Sequence, residues 1–153
     1  MNRNLILRWL FHISRFGLAA MFLFAAGAKL ATIKVFSLNV SELLSATHIN
    51  YARWTWPTTI GVIVAEVVAA ILLIWPRTAR IGGLWSALLL IGFSSFALYY
   101  VYGLHGDPLE CGCFGGIIAS QLGVKTALRN LALLVPALII LFAAPRKGLR
   151  TQN

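Results

Sequence analysis

The sequence predicts an all-α integral membrane protein, a four-helix bundle in a single transmembrane domain over residues 1–153. Of its 153 residues, 59% are hydrophobic and only 11% are charged, whereas about a quarter of the residues in an average soluble domain are charged. Four apolar runs approach or exceed the roughly 18 to 20 residues that cross a bilayer as a helix. Most of the basic residues also lie in the segments that would face one side of the membrane, as they do in membrane proteins.

The apolar runs place four transmembrane helices at about residues 10–31, 58–75, 81–104 and 124–144. The first run resembles a signal peptide, because basic residues precede it and Ala26-Gly27-Ala28 resembles a cleavage site. We interpret it as a retained helix, since apolar character continues at Leu30 and Ala31. Pro57 suits the first position of the second helix, where its missing N–H has no cost.

Two segments connect the predicted helices on the side of the membrane opposite to most of the basic residues. Residues 33–56 mix apolar and polar residues and are predicted as an interfacial segment on the outer leaflet, ending in Tyr51, Trp54 and Trp56 at the membrane–water boundary. Residues 105–123 form a loop between the third and fourth helices and contain both cysteines, Cys111 and Cys113.

The basic residues predict the orientation of the chain. Eight of the thirteen lie in three segments without an acid: Arg3, Arg8, Arg15, Arg77, Arg80, Arg146, Lys147 and Arg150. The positive-inside rule therefore places both termini in the cytoplasm and the cysteine loop on the periplasmic or extracellular side of a bacterial inner membrane. The net charge of +9 is therefore explained by the orientation of the chain in the membrane. The expected surroundings are the lipid bilayer, and no nucleic-acid partner is expected.

Cys111-Gly112-Cys113 is the strongest chemical signal in the sequence. A bond between these thiols would close almost no loop and would remove little chain entropy, so a stabilising crosslink is not its expected role. Their Cα atoms would lie roughly 6.5 to 7 Å apart on an extended chain, and closing them to a disulfide requires a turn that Gly112 permits. Strained, exposed disulfides exchange readily, and the outer compartment is oxidising. We predict a redox-active pair. A static disulfide, idle thiols, lipidation or a soft-metal site for Cu(I) on the two thiolates remain alternatives.

At this stretch the sequence resembles the MauE branch of the DoxX-like membrane proteins, which are associated with methylamine utilisation and redox functions. The resemblance rests on Cys111-Gly112-Cys113-Phe114-Gly115, on Gly27-Ala28-Lys29-Leu30 and on Glu66, within a four-helix layout of nearly the whole chain. It implies a membrane partner for a periplasmic thioredoxin-like protein, acting in disulfide formation or in delivery of reducing equivalents.

Three charged residues in or beside the apolar runs are candidate supporting residues. Lys29 either extends its amine to the interface or lies beside the cysteines, where a cation favours the thiolate. Arg129 has the same two interpretations, and its guanidinium also suits a carboxylate or a quinone carbonyl. Glu66 is costly near mid-bilayer. It is predicted either to pair with Lys29 or Arg129 or to handle the protons that accompany disulfide chemistry.

His105 and Glu110 flank the cysteines and are either solvated or supporting residues. The negative charge of Glu110 disfavours the thiolate of its neighbour Cys111, which leaves Cys113 as the easier thiolate.

The predicted function is that of a membrane thiol-disulfide oxidoreductase component. A Cys111–Cys113 disulfide would exchange with a periplasmic thioredoxin-like or other disulfide partner through a mixed disulfide. One pair cannot relay electrons across the membrane by successive disulfides, so electrons pass to a membrane quinone or between two periplasmic partners, in a direction that the sequence leaves open. Two alternatives are a membrane protein that handles Cu(I) or another soft metal, and a non-catalytic scaffold for maturation of a periplasmic redox enzyme.

Overall fold

A computed structural model describes residues 3–47, 50–103 and 124–143, and nearly all of these residues are helical. The helices are α1 (Arg3–Ala31), α2 (Ile33–Ala46), α3 (Tyr51–Ile74), α4 (Ala79–Leu98) and α5 (Val124–Ala143), and a π-helical turn, Tyr99–Gly103, continues α4. Within these three ranges there is no strand. The predicted all-α fold is therefore confirmed.

Three helical segments are long and apolar enough to cross a membrane, namely Arg8–Ala31, Tyr51–Ile74 and Ala79–Gly103. The apolar part of α5, Ala127–Phe142, is shorter than a standard span. Large apolar side chains cover the outside of the helices, as Phe142 at 79% exposure shows. An outer surface of this kind suits contact with lipid and not with water. The protein is an integral membrane protein.

The long helices alternate in direction. Lys29 in α1 contacts Glu66 in α3, and Arg15 in α1 contacts Ile74 in α3, so these two helices are antiparallel. Gly83, near the start of α4, lies against Ile140, near the end of α5, so this pair is antiparallel as well. We call the two ends of the bundle the Lys29 end, where α1 ends and α5 begins, and the Arg15 end, where α1 begins and α5 ends.

Small residues let the helices approach closely at the centre of the bundle. A Cβ atom on Gly82 would lie 2.9 Å from backbone atoms of both Leu72 and Leu73, so α4 touches the backbone of α3 there. Ala69, Ala70 and Ala137 are each fully buried. Close backbone approach through Gly and Ala is the usual packing mode of membrane helices, where burial from water gives no driving force.

The segment after the first helix is part of the bundle. Phe36 and Val40 are one helical turn apart on α2, are both buried, and pack with Ala26 of α1 and Ile63 of α3. The later part of α2 packs through Leu43 against a cluster at the end of α4. Side chains four residues apart share one helix face, so α2 has a packed side and an exposed side. The predicted interfacial segment 33–56 is thus a helix that is fixed to α3 and α4 over residues 33–46.

Two helices begin earlier than the predicted boundaries. α1 begins at Arg3 and not near residue 10, because helical structure continues through the polar residues that precede the apolar run. α3 begins at Tyr51 and not at residue 58, so Pro57 lies inside the helix and not at its first position. A proline removes a single backbone bond, and the first turn is already closed by the N–H groups of Arg53 and Trp54 on the carbonyl of Asn50.

Candidate functional site

The predicted site residues divide into two groups. His105, Glu110, Cys111 and Cys113 lie outside the described residues. The chain leaves the described part at Gly103, after α4, and re-enters it at Val124, the first residue of α5. Both points belong to the Lys29 end.

Lys29 and Glu66 form a buried ion pair. Nζ of Lys29 donates a hydrogen bond of 2.6 Å to Oε1 of Glu66, and the two side chains are 3% and 4% exposed. The predicted pairing of Glu66 with Lys29 is confirmed. The alternative in which the Lys29 amine extends to the membrane interface is wrong, because the amine turns into the bundle toward the carboxylate.

Two further features of the structure lie close to the ammonium group of Lys29. The residue lies in the last turn of α1, where the negative end of the helix dipole stabilises a cation. The ring of Phe36 lies over Nζ at 5.5 Å from the ring centroid, a distance at which the face of an aromatic ring attracts an ammonium group. The ion pair therefore links α1 to α3 directly, and to α2 through Phe36.

Glu66 also borders a small cavity to which all four long helices contribute. The wall includes Phe22 of α1, Phe93 of α4, and Arg129 and Asn130 of α5. Its volume of about 20 Å³ has room for roughly one water molecule. Oε2 of Glu66 has no hydrogen-bond partner among the described residues. The structure thus brings three predicted residues, Lys29, Glu66 and Arg129, into one region of the bundle.

Asn130 is a member of this site that the sequence prediction missed. It is 5% exposed, it lines the cavity, and its Nδ2 has no hydrogen-bond partner among the described residues. Buried amide groups nearly always find a partner, in the protein or in ordered water. The available signal was a second polar residue directly after Arg129 in an apolar run.

The site brings together one carboxylate, two cations and one amide around a cavity of about 20 Å³. Lys29 and Glu66 balance each other's charge, and Arg129 adds a further cation at the cavity wall. In a medium of low dielectric constant such charges interact over longer distances than in water. The arrangement can bind a small polar molecule or stabilise an anion that forms nearby.

Within the described ranges, no group of three or more His, Cys, Asp or Glu residues is placed to hold a metal ion. The predicted soft-metal alternative, on Cys111 and Cys113, concerns residues outside these ranges.

Comparison with protein families gives a match over most of the chain. The model of the family described as methylamine utilisation protein MauE matches residues 7–143, most of the chain. No curated protein and no solved structure matches the sequence significantly. The matched range includes α3, α4, α5, all of α1 from residue 7 onward, the buried ion pair and the cysteine segment.

Proposed function

The chain belongs to the MauE family, and we propose that it is a membrane thiol-disulfide oxidoreductase component that serves methylamine utilisation. In this proposal Cys111 and Cys113 form a disulfide that exchanges with a thioredoxin-like protein in the periplasm. The membrane is the bacterial inner membrane, with both termini in the cytoplasm.

One observation carries the proposal: the chain enters and leaves the cysteine segment at the Lys29 end of the bundle. Gly103 precedes the segment and Val124 follows it. Arg129 lies five residues into α5, about 7.5 Å along the helix from Val124. The only cysteines of the sequence are therefore tethered at the end where Lys29 carries its charge.

The proposed exchange proceeds in two steps. A thiolate of the partner attacks one sulfur of the Cys111–Cys113 disulfide, a mixed disulfide forms, and the other cysteine leaves as a thiolate. The second thiol of the partner then loses its proton, attacks the mixed disulfide and releases the first cysteine. Two electrons have passed from the partner to this protein, and the partner is oxidised. The reverse sequence reduces the partner.

Charged residues at the Lys29 end support this chemistry electrostatically. A cation near a cysteine stabilises the thiolate that leaves in the first step. The buried Lys29 and the half-buried Arg129 are cations at this end. Glu66 balances the charge of Lys29 and provides a carboxylate oxygen for a proton. Net turnover requires a second electron partner, and a membrane quinone, which takes up two electrons and two protons, is our candidate acceptor.

The proposal is tested by trapping the mixed disulfide. Full-length Cys111→Ser and Cys113→Ser variants are expressed in cells that contain a thioredoxin-like partner with its cysteine pair intact and oxidised. The remaining thiolate attacks the partner's disulfide, and this protein has no second cysteine to resolve the mixed disulfide that forms. We expect a covalent adduct with one of the two single variants, visible on a non-reducing gel and removed by dithiothreitol. The Cys111→Ser/Cys113→Ser double variant is the matched control and gives no adduct.

Two results would contradict the proposal. Growth on methylamine that continues unchanged in the double cysteine variant would favour the scaffold alternative. Copper bound in a one-to-one ratio to protein purified without oxygen, and lost in the double variant, would favour the soft-metal alternative.

A further inference from the structure

We propose that a groove at the Arg15 end, between α1 and α5, binds one anionic phospholipid. Its phosphate lies at Arg8, His12 and Arg15, and its acyl chains follow the apolar wall that α5 provides. This site lies at the opposite end of the bundle from the Lys29–Glu66 pair and is independent of the proposed thiol chemistry.

The groove is large and lies between α1, α5 and the turn after α3. Its volume is about 1110 Å³, and its wall includes Phe11 of α1, Pro76 of the turn between α3 and α4, and Val135 and Leu138 of α5. Pockets for small molecules are typically roughly 300 to 1,000 Å³. The size therefore suits an amphiphile with long chains better than a small metabolite.

The polar part of the groove is basic. Arg8, His12 and Arg15 all line it, and their spacing of four and then three residues places them on one face of α1. No acidic residue is among its described lining residues. The charge of this part of the groove is complementary to a phosphate group.

Arg15 adds a second, independent observation. The residue is only 5% exposed, and Nη2 donates a hydrogen bond of 2.8 Å to the carbonyl of Ile74 at the end of α3. Nε, the next donor on the same guanidinium, has no hydrogen-bond partner among the described residues. A buried guanidinium that lines a groove and has an unsatisfied N–H is suited to donate a hydrogen bond to a phosphate oxygen.

The apolar wall selects a lipid over a free phosphate. Val135 and Leu138 are 57% and 38% exposed, and Phe142 is 79% exposed. A soluble phosphate would contact only the basic part of the groove, whereas the acyl chains of a phospholipid would also lie against these side chains. Basic pockets between transmembrane helices are known to bind anionic lipid head groups.

The test is a lipid titration of the full-length protein in detergent, read by native mass spectrometry. Phosphatidylglycerol is compared with phosphatidylcholine of the same acyl chains, and with glycerol 3-phosphate as the head group alone. We expect one tightly retained phosphatidylglycerol per protein and weaker retention of the other two. The Arg8→Gln/His12→Gln variant should weaken binding by roughly fivefold to tenfold, since each basic group contributes modestly.

The matched control is Arg53→Gln, which removes an exposed basic residue from α3 near the Lys29 end and should leave lipid binding unchanged. Arg8 and His12 are exposed, so their replacement is compatible with folding. The comparison of the three ligands is made on the unaltered protein and does not depend on any variant. Equal retention of phosphatidylcholine, or equal binding of glycerol 3-phosphate, would overturn the proposal. A loss with Arg53→Gln as large as that with Arg8→Gln/His12→Gln would overturn it too.

Discussion

Lys29 and Glu66 meet across the boundary between α1 and α3, with Nζ and Oε1 2.6 Å apart and both side chains almost wholly buried. Each charge is acceptable in the bundle because the other is present. An ion taken out of water without a partner is strongly destabilising, whereas a buried pair can often be replaced by apolar residues at little cost. The ion pair is therefore a strong link between helices only while both members remain.

Removing one member of the pair should cost more than removing both. We expect Lys29→Met or Glu66→Leu alone to lower the free energy of unfolding by about 3 to 5 kcal/mol, because a buried charge is left unpaired. The Lys29→Met/Glu66→Leu double variant should lose much less than the sum of the two. Denaturant unfolding in detergent, arranged as a double-mutant cycle, measures the difference.

Lys34→Met is the control for this cycle, because Lys34 is an exposed lysine on α2 and its loss should change stability by less than about 0.5 kcal/mol. Additive effects of Lys29→Met and Glu66→Leu would show that the two charges do not depend on each other.

Glu66→Gln separates a role in exchange from a role in stability. The amide has nearly the same shape as the carboxylate but neither its charge nor its proton affinity. We expect disulfide exchange to slow by roughly tenfold, less than the 10²–10⁴-fold of a group that transfers the proton directly. The rate of disulfide exchange should also depend less on pH in this variant. The rate is measured well below the unfolding temperature, so that lost stability does not contribute.

A merely structural Glu66 would behave differently. The variant would then unfold at a lower temperature while its exchange rate and pH profile matched those of the unaltered protein. Asn130→Leu is a useful companion, because it changes the same cavity without changing the charge.

The helices and the ion pair could be predicted from the sequence because each depends on a local property. A long apolar run is a membrane span whatever surrounds it, and a carboxylate within such a run requires a cation. The packing of α2 could not be predicted in this way. Phe36 and Leu38 are similarly apolar, yet they are 7% and 63% exposed, because only one face of the helix meets α3.

The burial of Arg15 shows the same limit. In the sequence it is one of several basic residues at the predicted cytoplasmic side, and topology alone explains it. Its hydrogen bond to Ile74, 59 positions away, depends on how α1 crosses the end of α3. The hydropathy of a sequence identifies helices but does not indicate how two helices lie relative to each other.

Gly82 and Gly92, both in α4, should respond oppositely to alanine. A Cβ on Gly82 would lie 2.9 Å from backbone atoms of α3, whereas nothing lies within 4 Å of one on Gly92. We expect Gly82→Ala to destabilise the protein by about 1 to 3 kcal/mol, because backbone atoms cannot give way cheaply. Gly92→Ala should be neutral or stabilise by up to about 1 kcal/mol, from helix propensity. Thermal unfolding of the two variants compares them, and equal effects would mean that α3 and α4 are further apart.

The orientation of the bundle can be measured at two exposed positions at opposite ends. Ser45 lies on α2 at the Lys29 end, and Arg77 lies in the turn between α3 and α4 at the Arg15 end. In a Cys111→Ser/Cys113→Ser background, a membrane-impermeant maleimide should label the Ser45→Cys variant in intact spheroplasts. It should label Arg77→Cys only after the membrane is opened. The reverse result would place the Lys29 end in the reducing cytoplasm, where a disulfide does not persist, and exchange at Cys111 and Cys113 would lose its oxidising compartment.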